Sequence, residues 1–192
     1  MAKFPKQTTE MIKMNETMST RKLTACAMIA AIYTALCLAL GSFSYGPVQI
    51  RVAEALTLLP VFSPVAVWGV TLGCALSNLF GFITGMNILG YLDILFGTIA
   101  TLVAAIVSRR LRNMRFFGLP ILAAFPPILL NALVIGAELT WLETGYLMPQ
   151  VFLVNALNVG AGQAVSCLLV GLPMVWALER SGADNLLRSW AR

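Results

Sequence analysis

Four ionisable residues sit where water is scarce. Arg51, Glu54, Asp93 and Glu138 lie within or at the edge of long apolar runs, apart from the chain's other charges. A charge in such a setting is costly, which marks each as a candidate working residue. Arg51 and Glu54 are three positions apart, the spacing that lets two side chains meet on one helix face. They pair to pin their own segment, hold a ligand, or do both. Asp93 follows Tyr91 by two residues and shares a helical face with Gly97 and Thr101. An acid there is also favoured by the macrodipole at a helix start. Glu138 shares a face with Asn131, seven residues before it. Asn155 and Asn158 are three apart, with Gly162 continuing that face. Asn131 and Asn155 fall at matched depth on consecutive helices, which suits either a polar pocket or a hydrogen bond between helices. Trp141 and Tyr146 flank the next loop, where aromatics also serve as interfacial anchors. Glu143 reads as an exposed loop acid, and Gln163, deeper in the chain's last apolar run, as structural.

Much chemistry is absent. The chain has no histidine, which removes Ser–His and Cys–His nucleophile pairs and every H-E-x-x-H zinc site. Its two aspartates are Asp93 and Asp184, the latter in the C-terminal tail, so no aspartyl dyad forms within the apolar region. No G-x-x-x-x-G-K-[ST] phosphate loop occurs. The four cysteines (Cys26, Cys37, Cys74 and Cys167) all lie in apolar runs without a CxxC pair and read as small hydrophobes. An enzyme, a metal site and a cofactor held by this chain are therefore not expected. The net charge of +5 does not signal nucleic acid, because the basic residues sit at the ends of apolar runs and form no stripe.

The elements that must position these residues follow from composition. Of 192 residues, 59% are hydrophobic and 11% charged. Soluble domains carry roughly a quarter charged residues, so a surface this poor in charge must face lipid. Five uncharged runs read as membrane spans: Leu23 to Phe43, Val65 to Gly85, Ile94 to Ser108, Phe116 to Ala137 and Gly145 to Leu178. The first is too long for the apolar region of a signal peptide, about 7–15 residues, and is read as a retained helix. The stretch from Ser44 to Ser63 is ambiguous, since it carries Arg51 and Glu54.

Charge placement resolves it. If Ser44 to Ser63 crosses, twelve of the thirteen basic residues share one side. Those twelve comprise the N-terminal group ending at Lys22, the cluster Arg109, Arg110, Arg112 and Arg115, and Arg180, Arg188 and Arg192. The positive-inside rule places that side in the cytoplasm. The expected fold is thus an all-α integral membrane protein with six transmembrane helices and both ends cytoplasmic, in a plasma (cytoplasmic) membrane. Residues 1–22 form a cytoplasmic segment, 23–179 the six-helix domain and 180–192 a cytoplasmic tail. The second helix, roughly Gln49 to Phe62, reaches only about 21 Å of a core about 30 Å thick. The loop before it, Ser42 to Val48 with Tyr45, must then dip in from outside. Such backbone is tolerated only where protein buries it or a cavity solvates it, which predicts an outward cavity near Arg51 and Glu54.

Small residues recur every fourth position on two helices. Ala27, Ala31, Ala35 and Ala39 form one ridge; Gly69, Gly73, Ser77, Gly81 and Gly85 form another. Such ridges let helices approach closely, within the bundle or against a partner protein.

The stretch Ser44-Tyr45-Gly46-Pro47-Val48-Gln49-Ile50-Arg51-Val52-Ala53-Glu54-Ala55-Leu56-Thr57-Leu58-Leu59-Pro60 resembles the signature of the QueT family, substrate-binding S components of energy-coupling-factor transporters assigned to queuosine precursors. Further similarities run through Gly73 to Leu79, Leu92 to Thr98, Asn158 to Gly160 and Gly171 to Pro173. The resemblance implies a six-helix S component that joins a membrane T component and two cytoplasmic ATPases, which use ATP on its behalf. It implies that Ala27, Ala31 and Ala35 face the T component, and that ligand binds in the outer half of the bundle. The implied substrate is a 7-deazaguanine base. A carboxylate from Glu138, Glu54 or Asp93 would accept its N–H donors; Asn131, Asn155 and Asn158 would read its carbonyl and ring nitrogen. Tyr45, Tyr91, Trp141 or Phe96 would stack on its ring. The outward acids suit an aminomethyl-bearing, cationic precursor. An S component for another vitamin or nucleobase, or a solitary carrier, would share the same architecture.

Overall fold

The computed structural model describes residues 6–45 and 50–190, and over these the chain is helical with no β-strand. Helix α1 (Lys6–Ala39) is followed by the single turn α2 (Gly41–Ser44). A 3-10 helix (Val52–Val61) leads into α3 (Val65–Ile83) and α4 (Leu92–Arg110). Then come α5 (Phe125–Thr144), α6 (Pro149–Ala164), a π-helix (Val165–Gly171), α7 (Leu172–Ser181) and α8 (Asp184–Ser189).

Five segments are long and apolar enough to cross a membrane: Thr20–Ala39, Val65–Ile83, Leu92–Asn113, Ile121–Thr144 and Pro149–Ser181. Their boundaries have local causes. Gly118 and Pro120 delay the fourth segment beyond the expected Phe116 start, and Pro126 and Pro127 open α5, where a missing N–H costs nothing. Gly145 stops α5 in a left-handed cap at φ 75°, and Pro149 opens α6. Helix α1 begins earlier than the expected Leu23, extending through part of the polar N-terminal segment.

The ambiguous stretch becomes the ten-residue 3-10 helix, about 20 Å long at about 2.0 Å per residue. It is the centre of the fold. Helices α1, α3, α4 and α7 and the π-helix all pack on it, while α1–α3, α3–α4, α4–α5 and α5–α6 pack pairwise around it. Eight of its residues are buried, Glu54 among them. Tip residues 46–49 of the expected dipping loop lie outside the described residues.

Close approach explains the glycine ridge. A Cβ on Gly69 would lie 2.8 Å from Ile29 Cβ, and one on Gly73 would lie 2.6 Å from Tyr33 Cβ. The Gly69 and Gly73 part of the ridge is therefore internal packing against α1, while Gly81 meets Tyr45 and Asn87, and Gly85 lies exposed beyond the end of α3. The α1–α3 contact uses the α1 face carrying Ala25, Ile29, Ala30, Tyr33, Thr34 and Cys37, all buried. The alanine ridge lies on another face: Ala27, Ala31, Ala35 and Ala39 are all exposed.

Candidate functional site

The buried charges converge where the 3-10 helix meets α4. Arg51, just before that helix, is 2% exposed, and Asp93, in the first turn of α4, is fully buried. Arg51 Nη2 donates to Asp93 Oδ2 at 2.6 Å, and Arg51 Nε donates to the Ser44 carbonyl at 3.0 Å. The guanidinium lies over the Tyr45 ring, 5.2 Å from its centroid. Tyr45 in turn donates to the Ser77 carbonyl at 2.6 Å. Asn87 Nδ2 reaches the same Asp93 oxygen at 2.9 Å, and Asn78 Nδ2 reaches the Asp93 backbone carbonyl at 2.8 Å. Asp93 is thus no solvent-facing cap. The sequence spacing suggested an Arg51–Glu54 pair, and the structure differs. A 3-10 turn at the helix start and the arrival of α4 aim Arg51 at Asp93 instead.

Glu54 points the other way, toward α1. Tyr33 Oη donates to Glu54 Oε1 at 2.5 Å, while Glu54 Oε2 is buried without a partner. Asn131 of α5 lies beside it, with Nδ2 outside bonding geometry to any group. Gln163, at the end of α6, is 1% exposed, and its Oε1 is likewise unpartnered. Asp93 Oδ1, Asn78 Oδ1, Ser44 Oγ and Ser108 Oγ are also buried without a partner among the described residues. Buried polar atoms in proteins are nearly always bonded, so the unpartnered atoms of Glu54, Asn131, Asp93 and Asn78 call for something to satisfy them.

Glu138 is the clearest case. It is 8% exposed, and neither carboxylate oxygen has a hydrogen-bond partner. It sits within electrostatic reach of Asp93 and Arg51. It also forms the one charged wall of a groove of about 520 Å³ between α4 and α5, otherwise lined by Leu92, Phe96, Leu133, Val134, Ala137, Trp141 and Leu147. Small-molecule sites have this size and character, mostly apolar with a few placed polar groups. Trp141 and Phe96 are half-exposed on its rim, available to cover a flat ring.

The other expected residues divide. Asn155 is buried, and its amide donates to Glu143 Oε2 at 3.2 Å and Thr140 Oγ1 at 3.3 Å, so it ties α6 to α5. Asn158, one turn on, is exposed and turned away from the cluster. Tyr91 is 69% exposed and Tyr45 is committed to Arg51 and Ser77, so neither is poised over the open polar atoms. Tyr33, Asn78 and Asn87 belong to the cluster and were not singled out from the sequence. Asn78 carried one signal, as a lone amide among the small residues of α3. Among the described residues no group of three His, Cys, Asp or Glu side chains is placed to hold a metal.

A family model described as QueT transporter matches residues 23–180. The Queuosine precursor transporter QueT of Lactococcus lactis subsp. cremoris is 34% identical over 86 residues, 44% of this chain and 47% of that protein. The match therefore spans about half the length of that relative. No solved structure matches the chain.

Proposed function

The chain belongs to the QueT transporter family, and from that premise we propose that it is the substrate-binding S component of an energy-coupling-factor transporter. It crosses the plasma membrane six times with both ends inside, the buried 3-10 helix serving as the short second span. It works with a T component and two ATPase subunits that spend ATP on its behalf, and holds no cofactor of its own. Ala27, Ala31 and Ala35 form its T-component face, in keeping with their exposure.

The cargo is a queuosine precursor of the 7-deazaguanine type. The observation that carries this reading is Glu138, a residue lining an apolar groove whose two buried carboxylate oxygens have no hydrogen-bond partner among the described residues. A guanine-like edge offers two parallel N–H donors, which such a carboxylate accepts as a fork. A site built to accept those hydrogens discriminates strongly against rings that lack them, because its polar atoms are then left unpaired. Asn131 lies seven residues deeper on the same helix and offers an open donor to a ring carbonyl. Glu54, Asp93 and Glu138 are buried with Arg51 as the one buried cation among the described residues, a balance that suits a cationic aminomethyl substituent.

Calorimetry on the purified chain tests this. The panel is two 7-deazaguanine precursors, the free queuosine base, guanine, riboflavin and thiamine. Tight binding of a deazaguanine with rejection of the vitamins is expected. Binding of a vitamin instead removes the queuosine assignment and leaves the family intact.

A further inference from the structure

We propose that the arginine-lined end of the bundle binds the phosphodiester headgroup of an anionic phospholipid. Residues 114–120 join two membrane-length segments, Leu92–Asn113 and Ile121–Thr144, and the third, Pro149–Ser181, ends beside them. This end of the protein is therefore at a membrane surface. A cavity of about 550 Å³ opens there, walled by Arg109, Arg112, Arg115, Arg188, Phe62 and a single carboxylate, Glu179.

That carboxylate is already used. Arg115 donates to both Glu179 oxygens, at 2.6 and 3.0 Å. Arg188 bonds Asp184 at 2.8 Å and lies over the Phe62 ring. Arg109 donates to the Pro60 carbonyl at 2.9 Å, a neutral partner. Among the described residues the Arg112 side chain has no hydrogen bond or ion pair, and it stands close enough to Arg109 to repel it. Two of the four guanidinium groups lining this cavity, those of Arg109 and Arg112, are thus bonded to no carboxylate among the described residues. Planar guanidinium forks match phosphate oxygens, and basic pockets at helix ends in membranes suit anionic headgroups.

A second observation selects a lipid over a free phosphate. Phe117 is fully exposed and has φ 52°, a conformation bulky residues rarely adopt. The loop that holds it is fastened on both sides. Phe116 and Leu119 exchange backbone hydrogen bonds at 2.9 and 3.0 Å, and Arg115 donates to the Gly118 carbonyl at 2.8 Å. The loop presents Phe116 and Phe117 outward beside the arginines, where apolar side chains enter the boundary of headgroups and acyl chains. A phospholipid offers both a phosphate for the arginines and a chain for the phenylalanines. This inference rests on the membrane reading and is independent of the transported substrate.

Native mass spectrometry of the full chain in a neutral detergent tests it, with phosphatidylglycerol, phosphatidylcholine and inorganic phosphate as probes. Selective retention of phosphatidylglycerol is expected. Arg112→Gln, which breaks no side-chain bond among the described residues, should weaken that retention about fivefold, the effect of one basic residue at an anionic surface. Phe117→Ser should weaken it too. Equal retention of the two lipids, or retention unchanged in both variants, overturns the proposal. So does inorganic phosphate that binds as tightly and responds to Arg112→Gln alone, which assigns the cavity to free anions. A co-purifying protein that displaces the lipid through Arg112 overturns it as well.

Discussion

Arg51 and Asp93 are 42 positions apart in the chain, yet their side chains meet at 2.6 Å with 3% and 0% of their surface exposed. The contact locks the entry of the central 3-10 helix to the first turn of α4. Asp93 Oδ1 lies against Gly97 of the same helix and is buried without a partner among the described residues.

Removing one member of this pair strands the other as a buried charge. Asp93→Asn and Arg51→Met should each destabilise the fold by about 3–5 kcal/mol, and the double replacement by apolar residues should recover much of that loss. Thermal unfolding in detergent measures both. Single variants that melt with the parent would mean that water reaches the pair.

Glu138→Gln should behave in the opposite way. Glu138 holds no other group among the described residues, so its replacement should leave the melting temperature unchanged or raise it. Ligand affinity should fall by about 1.5–3 kcal/mol, roughly 10- to 150-fold, the range for a hydrogen bond to a charged group. Asn158→Ala, on an exposed face, is the matching control and should leave affinity intact. If Glu138→Gln binds like the parent, Glu54 becomes the carboxylate that reads the base.

Gly73→Ala tests the packing of α1 on α3. The new methyl would meet Tyr33 at 2.6 Å, and Tyr33 holds Glu54. Overpacking of this kind costs about 1–3 kcal/mol. Gly160→Ala, whose Cβ would sit 3.4 Å from Ala132, should be much milder. Equal melting of the two variants would contradict the close approach of these helices.

Ala31→Trp places bulk on the exposed alanine ridge of α1. It should spare folding and ligand binding in the isolated chain and abolish uptake in cells that carry the whole transporter. Loss of ligand binding in the isolated chain would sink the partner-face assignment.

The membrane class and the long helices were legible in the sequence, because an uncharged run of about 20 residues has few alternatives to a membrane-spanning helix. The short, buried character of the second segment was legible too, since its length and its two charges conflict with an ordinary span. Arg51, Glu54, Asp93, Asn131 and Glu138 were legible one by one or in near neighbours as candidates, and the structure shows how they stand to one another. Each is a polar group that could not face lipid.

Partner choice was decided elsewhere. Local spacing pointed Arg51 at Glu54, but spacing knows only the segment that contains both residues. The arrival of α4 and α1 on either side of the 3-10 helix gives Arg51 to Asp93 and Glu54 to Tyr33. Likewise two ridges of small residues looked alike in the sequence. Packing spends Gly69, Gly73 and Gly81 inside the bundle and leaves the alanine ridge outside it. Periodicity determines which side chains share a face; only the assembled helices determine what that face meets.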